Sequence, residues 1–136
     1  EHLNAIKTQL TEDEFQKALY IIEENDRVLK AAKMIAENKI LELGKLLFEA
    51  HHGAQFQFKI SCTELDFLVE EARQNPNVIG ARMMGGGFGG CTINIVKKGE
   101  LKHYAENVSK AYMKKFNKAC SVYYINLSEG THIINN

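Results

Sequence analysis

The residues whose types and spacing are most unusual form a glycine run. Five of the chain's ten glycines lie in the six positions Gly85 to Gly90. A glycine costs roughly 0.5–1 kcal/mol relative to alanine in a regular element, so the run indicates a need for unusual angles or close approach. Bare backbone N–H groups there can reach an anion or another chain segment. Arg82 could add a charge-assisted contact to the anion, and a structural or surface role fits it equally well.

Known glycine motifs with other chemistry fit this run poorly. Gly85, Gly87 and Gly90 satisfy G-x-G-x-x-G, but dinucleotide binding needs a helix after the run, and a strand pattern follows here. A P-loop needs Lys where Cys91 stands. Base stacking on RNA needs two or three aromatic residues, and Phe88 is one. A plain hairpin turn needs only one or two glycines.

The metal-ligating residue types show no site pattern. The three cysteines lack C-x-x-C spacing, which predicts neither a disulfide framework nor a zinc site and is typical of a reducing cytoplasm. Adjacent His51 and His52 would point to different sides of a helix. We therefore expect no metal site in this chain.

The elements that must position the glycine run begin with a helical pair over residues 11–53. A capping box of Thr11 and Glu14 starts the first helix, and the pair is joined near 37–39. Asn38 is the expected cap of the second helix, and Gly53 its stop.

Residues 56–127 spell β-α-β-β-α-β. The first strand is predicted from the alternation of Phe56, Phe58 and Ile60, and a capping box of Ser61 and Glu64 opens the helix that follows. That helix ends before Asn75-Pro76, because the residue before proline avoids helical angles. The later elements are predicted at 78–84, 91–96, 101–116 and 122–127. The fold class is therefore α+β: a ferredoxin-like antiparallel sheet with helices on one face, preceded by two helices, as a single domain over 1–136.

Composition sets wider bounds. The chain has 136 residues, 45% hydrophobic and 25% charged, with a formal net charge of zero, as in an ordinary folded protein. No apolar run approaches the roughly 18–20 residues of a membrane helix, so we expect no membrane partner. Lysines between 97 and 118 are interpreted as a solvated surface, and no nucleic-acid partner is expected.

Several segments together resemble a known family. The stretch Gly80 to Thr92 resembles the third signature motif of galactokinases, members of the galactose, homoserine, mevalonate and phosphomevalonate kinase (GHMP) superfamily. Residues 61–66 resemble its S-C-P-E-L-D, residues 24–28 its E-N-x-R-V, and residues 44–51 its G-x-L-M-x-x-S-H. The similarity covers about residues 15–131. Thr63, Met84 and Ala50 depart from the usual proline, threonine and serine, and Met84 removes a hydroxyl beside the loop.

The resemblance implies a function for a longer enzyme. Such an enzyme transfers the γ-phosphoryl group of ATP to the anomeric hydroxyl of galactose, with Mg²⁺ as cofactor, in the cytoplasm. The ATP loop, the catalytic base and most ATP and Mg²⁺ contacts belong to an amino-terminal lobe whose motifs are absent here. We therefore expect the carboxy-terminal lobe alone, with no catalytic residue and no activity in isolation.

For this lobe the resemblance implies a supporting role. Gly85, Gly86, Gly87 and Gly89, with Arg82, would lie near the ATP phosphates at the interlobe cleft. The partners implied are galactose, ATP and the missing lobe, and a patch left exposed without that lobe could pair two fragments as a dimer. The alternative is a ferredoxin-like module that senses a small molecule or regulates a partner without catalysis.

Overall fold

The computed structural model describes residues 2–126, which form five α-helices, one 3₁₀ helix and two strands. In chain order these are α1 (His2–Ala5), a 3₁₀ turn (Lys7–Gln9), α2 (Glu12–Ala36), α3 (Ile40–Phe56), α4 (Thr63–Gln74), β1 (Val78–Met83), β2 (Thr92–Val96) and α5 (Leu101–Phe116). No helix in this part of the chain is both long and apolar enough to cross a membrane.

The predicted helical pair forms, and its first cap is confirmed. The Thr11 hydroxyl accepts from the Glu14 N–H, and the Glu14 carboxylate accepts from the Thr11 N–H. The second cap was predicted wrongly. Asn38 adopts a left-handed φ of 57°, and the N-cap of α3 is the next residue, Lys39, whose side chain makes no capping hydrogen bond. An asparagine tolerates left-handed angles, so Asn38 serves the turn between the helices.

Gly53 does not end α3, contrary to the sequence prediction, because the helix continues to Phe56. Gly53 is buried instead, and a Cβ placed there would lie 2.8 Å from the Tyr20 ring. The glycine thus lets α3 approach the aromatic ring of α2. A glycine within a helical pattern indicates either a stop or a close contact, and here it makes the contact.

The strand predicted over residues 56–60 is absent. Phe56 closes α3, Phe58 N–H donates to the Gly53 carbonyl, and Ile60 N–H donates to the Ala54 carbonyl. The alternating apolar residues still face a core, since Phe58 and Ile60 pack against a buried cluster of Tyr20, Ala54, Leu65 and Met83. The period of two therefore came from the turn that ends α3, in which Gln57 is still helical and Lys59 takes a left-handed φ of 60°.

The antiparallel sheet consists of β1 and β2, paired from Val78↔Val96 to Met83↔Thr92 with an irregularity between Val78 and Gly80. The α+β class is confirmed, and so are α4, α5 and the antiparallel pair β1–β2, each within one residue of its predicted bounds. The last predicted strand is not formed over residues 122–126, and Leu127 lies outside the described residues.

Strand β1 packs against α4 and α5 through some of its residues and against α3 through others. Val78 and Ala81 belong to a buried cluster with residues of α4 and α5, namely Val69, Ala72, Tyr104 and Val108. Gly80 contacts α3 instead, where a Cβ would lie 2.4 Å from the Cα of Gly44. Because β1 is packed this tightly, its C-terminal end is a fixed base for the glycine run.

Candidate functional site

The glycine run forms a loop between β1 and β2 that only glycine-rich sequence can adopt. Gly85, Gly87, Gly89 and Gly90 have φ values of 77°, 87°, 142° and 98°. These angles lie in the left-handed region, which residues with a Cβ rarely adopt. The base of the loop is closed by a 2.9 Å hydrogen bond from Met84 N–H to the Cys91 carbonyl. That bond uses the backbone, so methionine in place of the family's threonine does not prevent closure.

The middle of the loop is fixed to the segment that precedes α4. Phe88 N–H donates to the Ile60 carbonyl at 2.7 Å, and a Cβ at Gly87 would lie 2.1 Å from that same oxygen. Phe88 itself takes a left-handed φ of 59° while its side chain stays 76% exposed. Gly87 is therefore required by contact within this chain as well as by its backbone angle.

The other predicted glycines face open space. At Gly85, Gly86 and Gly89 an added Cβ would meet no atom within 4 Å among the described residues. The N–H groups of these three residues also donate no hydrogen bond to an acceptor in residues 2–126. The loop therefore has backbone donors that lack both a partner within residues 2–126 and side chains that would cover them, two properties of backbone anion-binding sites.

Arg82 lies near the end of β1, just before the loop (the root of the loop, Arg82 and Met83), but its side chain is directed toward α2. Its Nη1 donates to Glu24 Oε1 at 2.6 Å, and its Nε donates to the Met83 carbonyl at 3.2 Å. The other oxygen of Glu24 accepts from Arg27 Nε at 2.8 Å. The structure thus pairs the Arg82 charge with a carboxylate, and the anion contact predicted for Arg82 stays a prediction.

The ionisation of Glu24 matches this bridging position. Burial by itself would raise the pKa of Glu24, but hydrogen bonds from Arg27 and Arg82 outweigh it and lower the pKa. A carboxylate bonded to two guanidinium groups stays charged at neutral pH. This cluster joins the E-N-x-R-V segment of α2 to the strand that carries the loop.

A second cluster reaches the end of β1 from α3 and α4. His51 is 2% exposed, and its Nδ1 accepts from the Met83 N–H at 3.3 Å. Its Nε2 faces Asp66 Oδ1 at 3.3 Å, and that oxygen accepts from the Ser61 hydroxyl at 2.5 Å. The capping box predicted for Ser61 and Glu64 is therefore wrong. The N-cap of α4 is Cys62, and the Ser61 hydroxyl is bonded to Asp66 instead.

Sequence reasoning assigned no role at the loop to His51, Asp66 or Ile60. The resemblance named the segments that contain His51 and Asp66, and Ile60 immediately precedes the second, but periodicity within a segment does not tell which side chains meet across segments. The signal that was available is chemical. A histidine at a buried helical position needs a polar partner, and the residues on the facing elements can supply one.

No metal centre is indicated in this part of the molecule. Residues 2–126 contain no group of three or more His, Cys, Asp or Glu side chains arranged to hold an ion. A wide groove of about 1080 Å³ lies among α2, α3, α4 and α5, lined by both acidic and basic residues such as Glu23, Arg27, Glu70 and Lys115. Its lining includes no residue of the glycine loop, and its mixed charges favour no particular ligand.

Most of this chain is similar in sequence to proteins of known family. Residues 29–115 match the family described as GHMP kinases C terminal. The chain is 37% identical over 146 aligned positions to the galactokinase of Clostridium beijerinckii, covering 98% of this chain and 37% of that protein. It is 36% identical over 115 residues to the galactokinase of Thermosipho africanus, covering 85% of this chain and 33% of that protein.

The fold of this chain is also similar to that of a solved structure. The crystal structure of Lactococcus lactis galactokinase complexed with galactose superposes with a TM-score of 0.84 at 28% identity, covering 90% of this chain and 32% of that one. This chain therefore belongs to the GHMP kinase C-terminal family, as the motif resemblance predicted. Within that family the relatives and the solved structure described above are galactokinases. The chain spans about one third of the length of each.

Proposed function

We propose that this chain is the carboxy-terminal part of a galactokinase, which phosphorylates galactose at its anomeric hydroxyl with ATP. The proposal is supported by identity of 36–37% to galactokinases over 85–98% of the chain. It is also supported by the glycine loop, whose three open glycines could admit another molecule to the backbone itself.

Phosphoryl transfer depends mainly on positioning and on stabilising charge, which assigns the loop a definite task. Backbone N–H groups without a partner in residues 2–126 suit phosphate oxygens, and the absence of side chains lets a nucleotide or another part of the enzyme approach closely. The residues that fit this role are Gly85, Gly86 and Gly89. Gly87 acts differently, because its space is taken by Ile60.

The loop residues fit ATP but not Mg²⁺. Mg²⁺ prefers carboxylate and phosphate oxygens, and the nearest loop positions carry neither Asp nor Glu. On this proposal the metal ligands, the ATP loop and the catalytic base come from the part of the enzyme outside this chain. The chain would then be inactive alone and would depend on that part as its partner.

Arg82 has a narrower part in the proposal. Because its guanidinium is bonded to Glu24 and to the Met83 carbonyl, its first task on this proposal is to orient the end of β1 that carries the loop. This modifies the role that the family resemblance implies for Arg82.

The test is a sugar-phosphorylation assay on the full-length protein that carries this chain, with ATP and a panel of hexoses. We expect ATP-dependent phosphorylation of galactose well above that of glucose. A sensing module would instead bind galactose or ATP calorimetrically without turnover, and that result would refute the proposal. The same titration into the 136-residue chain alone should show no tight binding of either ligand.

A further inference from the structure

The glycine loop is held at two points, and the residues that hold it are connected to each other. At its middle, Phe88 N–H donates to the Ile60 carbonyl. At its root, Met83 N–H donates to His51 Nδ1. Ser61 directly follows Ile60, and its hydroxyl donates to the Asp66 oxygen that faces His51 Nε2. A path of polar contacts therefore runs from one anchor to the other through α4 and α3.

The root anchor fixes the protonation state of His51. A backbone N–H can only donate, so Nδ1 must be the acceptor and carries no proton. The single proton of the neutral ring is then on Nε2, facing Asp66 Oδ1 at 3.3 Å. Nε2 has no well-aligned acceptor within residues 2–126, which leaves Asp66 as an electrostatic partner. A doubly protonated ring would turn an N–H against the Met83 N–H and break the anchor.

The position of Met83 in β1 explains why its N–H needs an acceptor from a side chain and not from the neighbouring strand. Successive residues of an antiparallel strand direct their N–H groups to opposite sides. Met84 N–H points to β2 and bonds Cys91, so Met83 N–H points away from β2, toward α3. If that donor were buried without an acceptor, the equilibrium constant for local opening would rise roughly tenfold or more.

We propose that His51 is a positioning residue that holds the glycine loop through its unprotonated Nδ1, and that Asp66 and Ser61 orient its ring and couple the two anchors of the loop. Three charged groups lie close enough to the His51 ring to affect its pKa. Asp66 and Arg73 come from α4, and Arg82 comes from β1. The catalytic consequence of this inference rests on the proposed kinase function, whereas the anchor itself does not.

The test uses two substitutions that keep different atoms of the imidazole. In His51→Asn the side-chain oxygen takes the place of Nδ1, whereas in His51→Gln it takes the place of Nε2. We would measure amide hydrogen exchange by NMR at Met83, Met84 and Phe88 in the full-length protein labelled with ¹⁵N-methionine and ¹⁵N-phenylalanine. Met34 in α2 and Met113 in α5 are internal controls for global opening.

His51→Gln should speed exchange at Met83 and Phe88 about three- to tenfold, with Met113 unchanged, whereas His51→Asn should stay within about twofold of wild type. Equal exchange in both variants, fast or slow, would overturn the proposal. If His51→Gln does not fold, Ser61→Ala decides the question. It should speed exchange at Phe88 and Met83 together, and an unchanged rate at Met83 would contradict the coupling.

Kinetics separate this inference from the proposed function. With galactose and ATP, the kcat of His51→Gln should fall at least tenfold and that of His51→Asn should recover most of the loss. If the wild-type protein does not phosphorylate galactose, the proposed function fails while the exchange pattern still decides the role of His51. If exchange changes as expected but kcat does not, the anchor has no catalytic consequence and the positioning role is overturned.

Discussion

The Phe88 N–H donates to the carbonyl oxygen of Ile60 at 2.7 Å, and this bond joins the glycine loop to the segment that leads into α4. The two residues are far apart in sequence and lie in two different motifs. Gly87 makes the bond possible, because any Cβ there would lie 2.1 Å from the same oxygen. The contact explains why one glycine of the run is structural while its neighbours face open space.

Substituting adjacent glycines should therefore have opposite results. Gly87→Ala should lower the free energy of unfolding by more than about 2 kcal/mol, since it adds a clash with backbone to the strain of a positive φ. Gly86→Ala has neither problem and should change stability by less than about 1 kcal/mol, in the stabilising direction. Urea denaturation of both variants measures the difference. Equal effects would mean that the loop is not held against Ile60.

The crossing of α3 and β1 gives a second prediction. Gly44→Ala would gain about 1 kcal/mol in helix propensity, but its Cβ would lie 2.1 Å from the Ile79 carbonyl oxygen. Because backbone cannot move aside as a side chain can, we expect a net loss of about 2 kcal/mol or more in the free energy of unfolding. A thermal melt at or above the wild-type midpoint would show that α3 does not pack this closely on β1.

Stability should also fall as the pH is lowered, because of His51. Burial lowers the pKa of His51 below 6.5, against the opposing effect of Asp66. The unfolded chain therefore takes up a proton before the folded chain does, so the contribution is complete above about pH 6.5 and is lost as the pH falls through the lower, folded-state pKa. Urea denaturation at pH 7.5 and 5.5 should show this loss.

The matched variants identify the residue responsible. His51→Asn should reduce the difference between the two pH values, because asparagine keeps an acceptor for Met83 and does not titrate. His52→Asn, at the neighbouring exposed position, should leave the difference as in wild type. If all three proteins lose stability equally on acidification, His51 is not the source.

The Arg82–Glu24 contact can be tested with a double-mutant cycle. Arg82→Gln and Glu24→Gln should each destabilise the protein, and the double variant should lose less than their sum, with a coupling of about 1 kcal/mol. We expect this coupling because the two side chains are 30% and 19% exposed and form a short charged bond. A coupling near zero, combined with weaker ATP binding in Arg82→Gln, would assign Arg82 to the ligand.

The sequence predicted the helices, the β1–β2 pair and the position of the glycine loop, because periodicity, capping residues and proline act locally. It failed where a tertiary contact decided the outcome. Gly53 permits contact with Tyr20 and does not end α3, and the Ser61 hydroxyl bonds Asp66 and does not cap α4. Similarly, Phe58 and Ile60 alternate because they pack beside α3, not because they pair in a sheet.

The sequence likewise predicted some features of the candidate site and not others. The glycine run was visible as composition, and its family resemblance located the related segments around it. The separate roles of Gly86 and Gly87 were not visible, since both are glycines in one run and only the distance to Ile60 distinguishes them. The partner of Arg82 was equally hidden, because Glu24 lies 58 positions earlier in the chain.

The most direct test of the central claim is the steady-state kinetics of Gly86→Ala in the full-length protein, with Gly99→Ala as control. Gly99 is another glycine with open space around it, in the turn between β2 and α5, outside the loop; its φ of 92° makes Gly99→Ala the more strained of the two variants. If the loop approaches the phosphates of ATP, Gly86→Ala should fold normally but lose at least tenfold in kcat/KM for ATP, while Gly99→Ala keeps the wild-type value. Wild-type kcat/KM for ATP in Gly86→Ala would contradict the account.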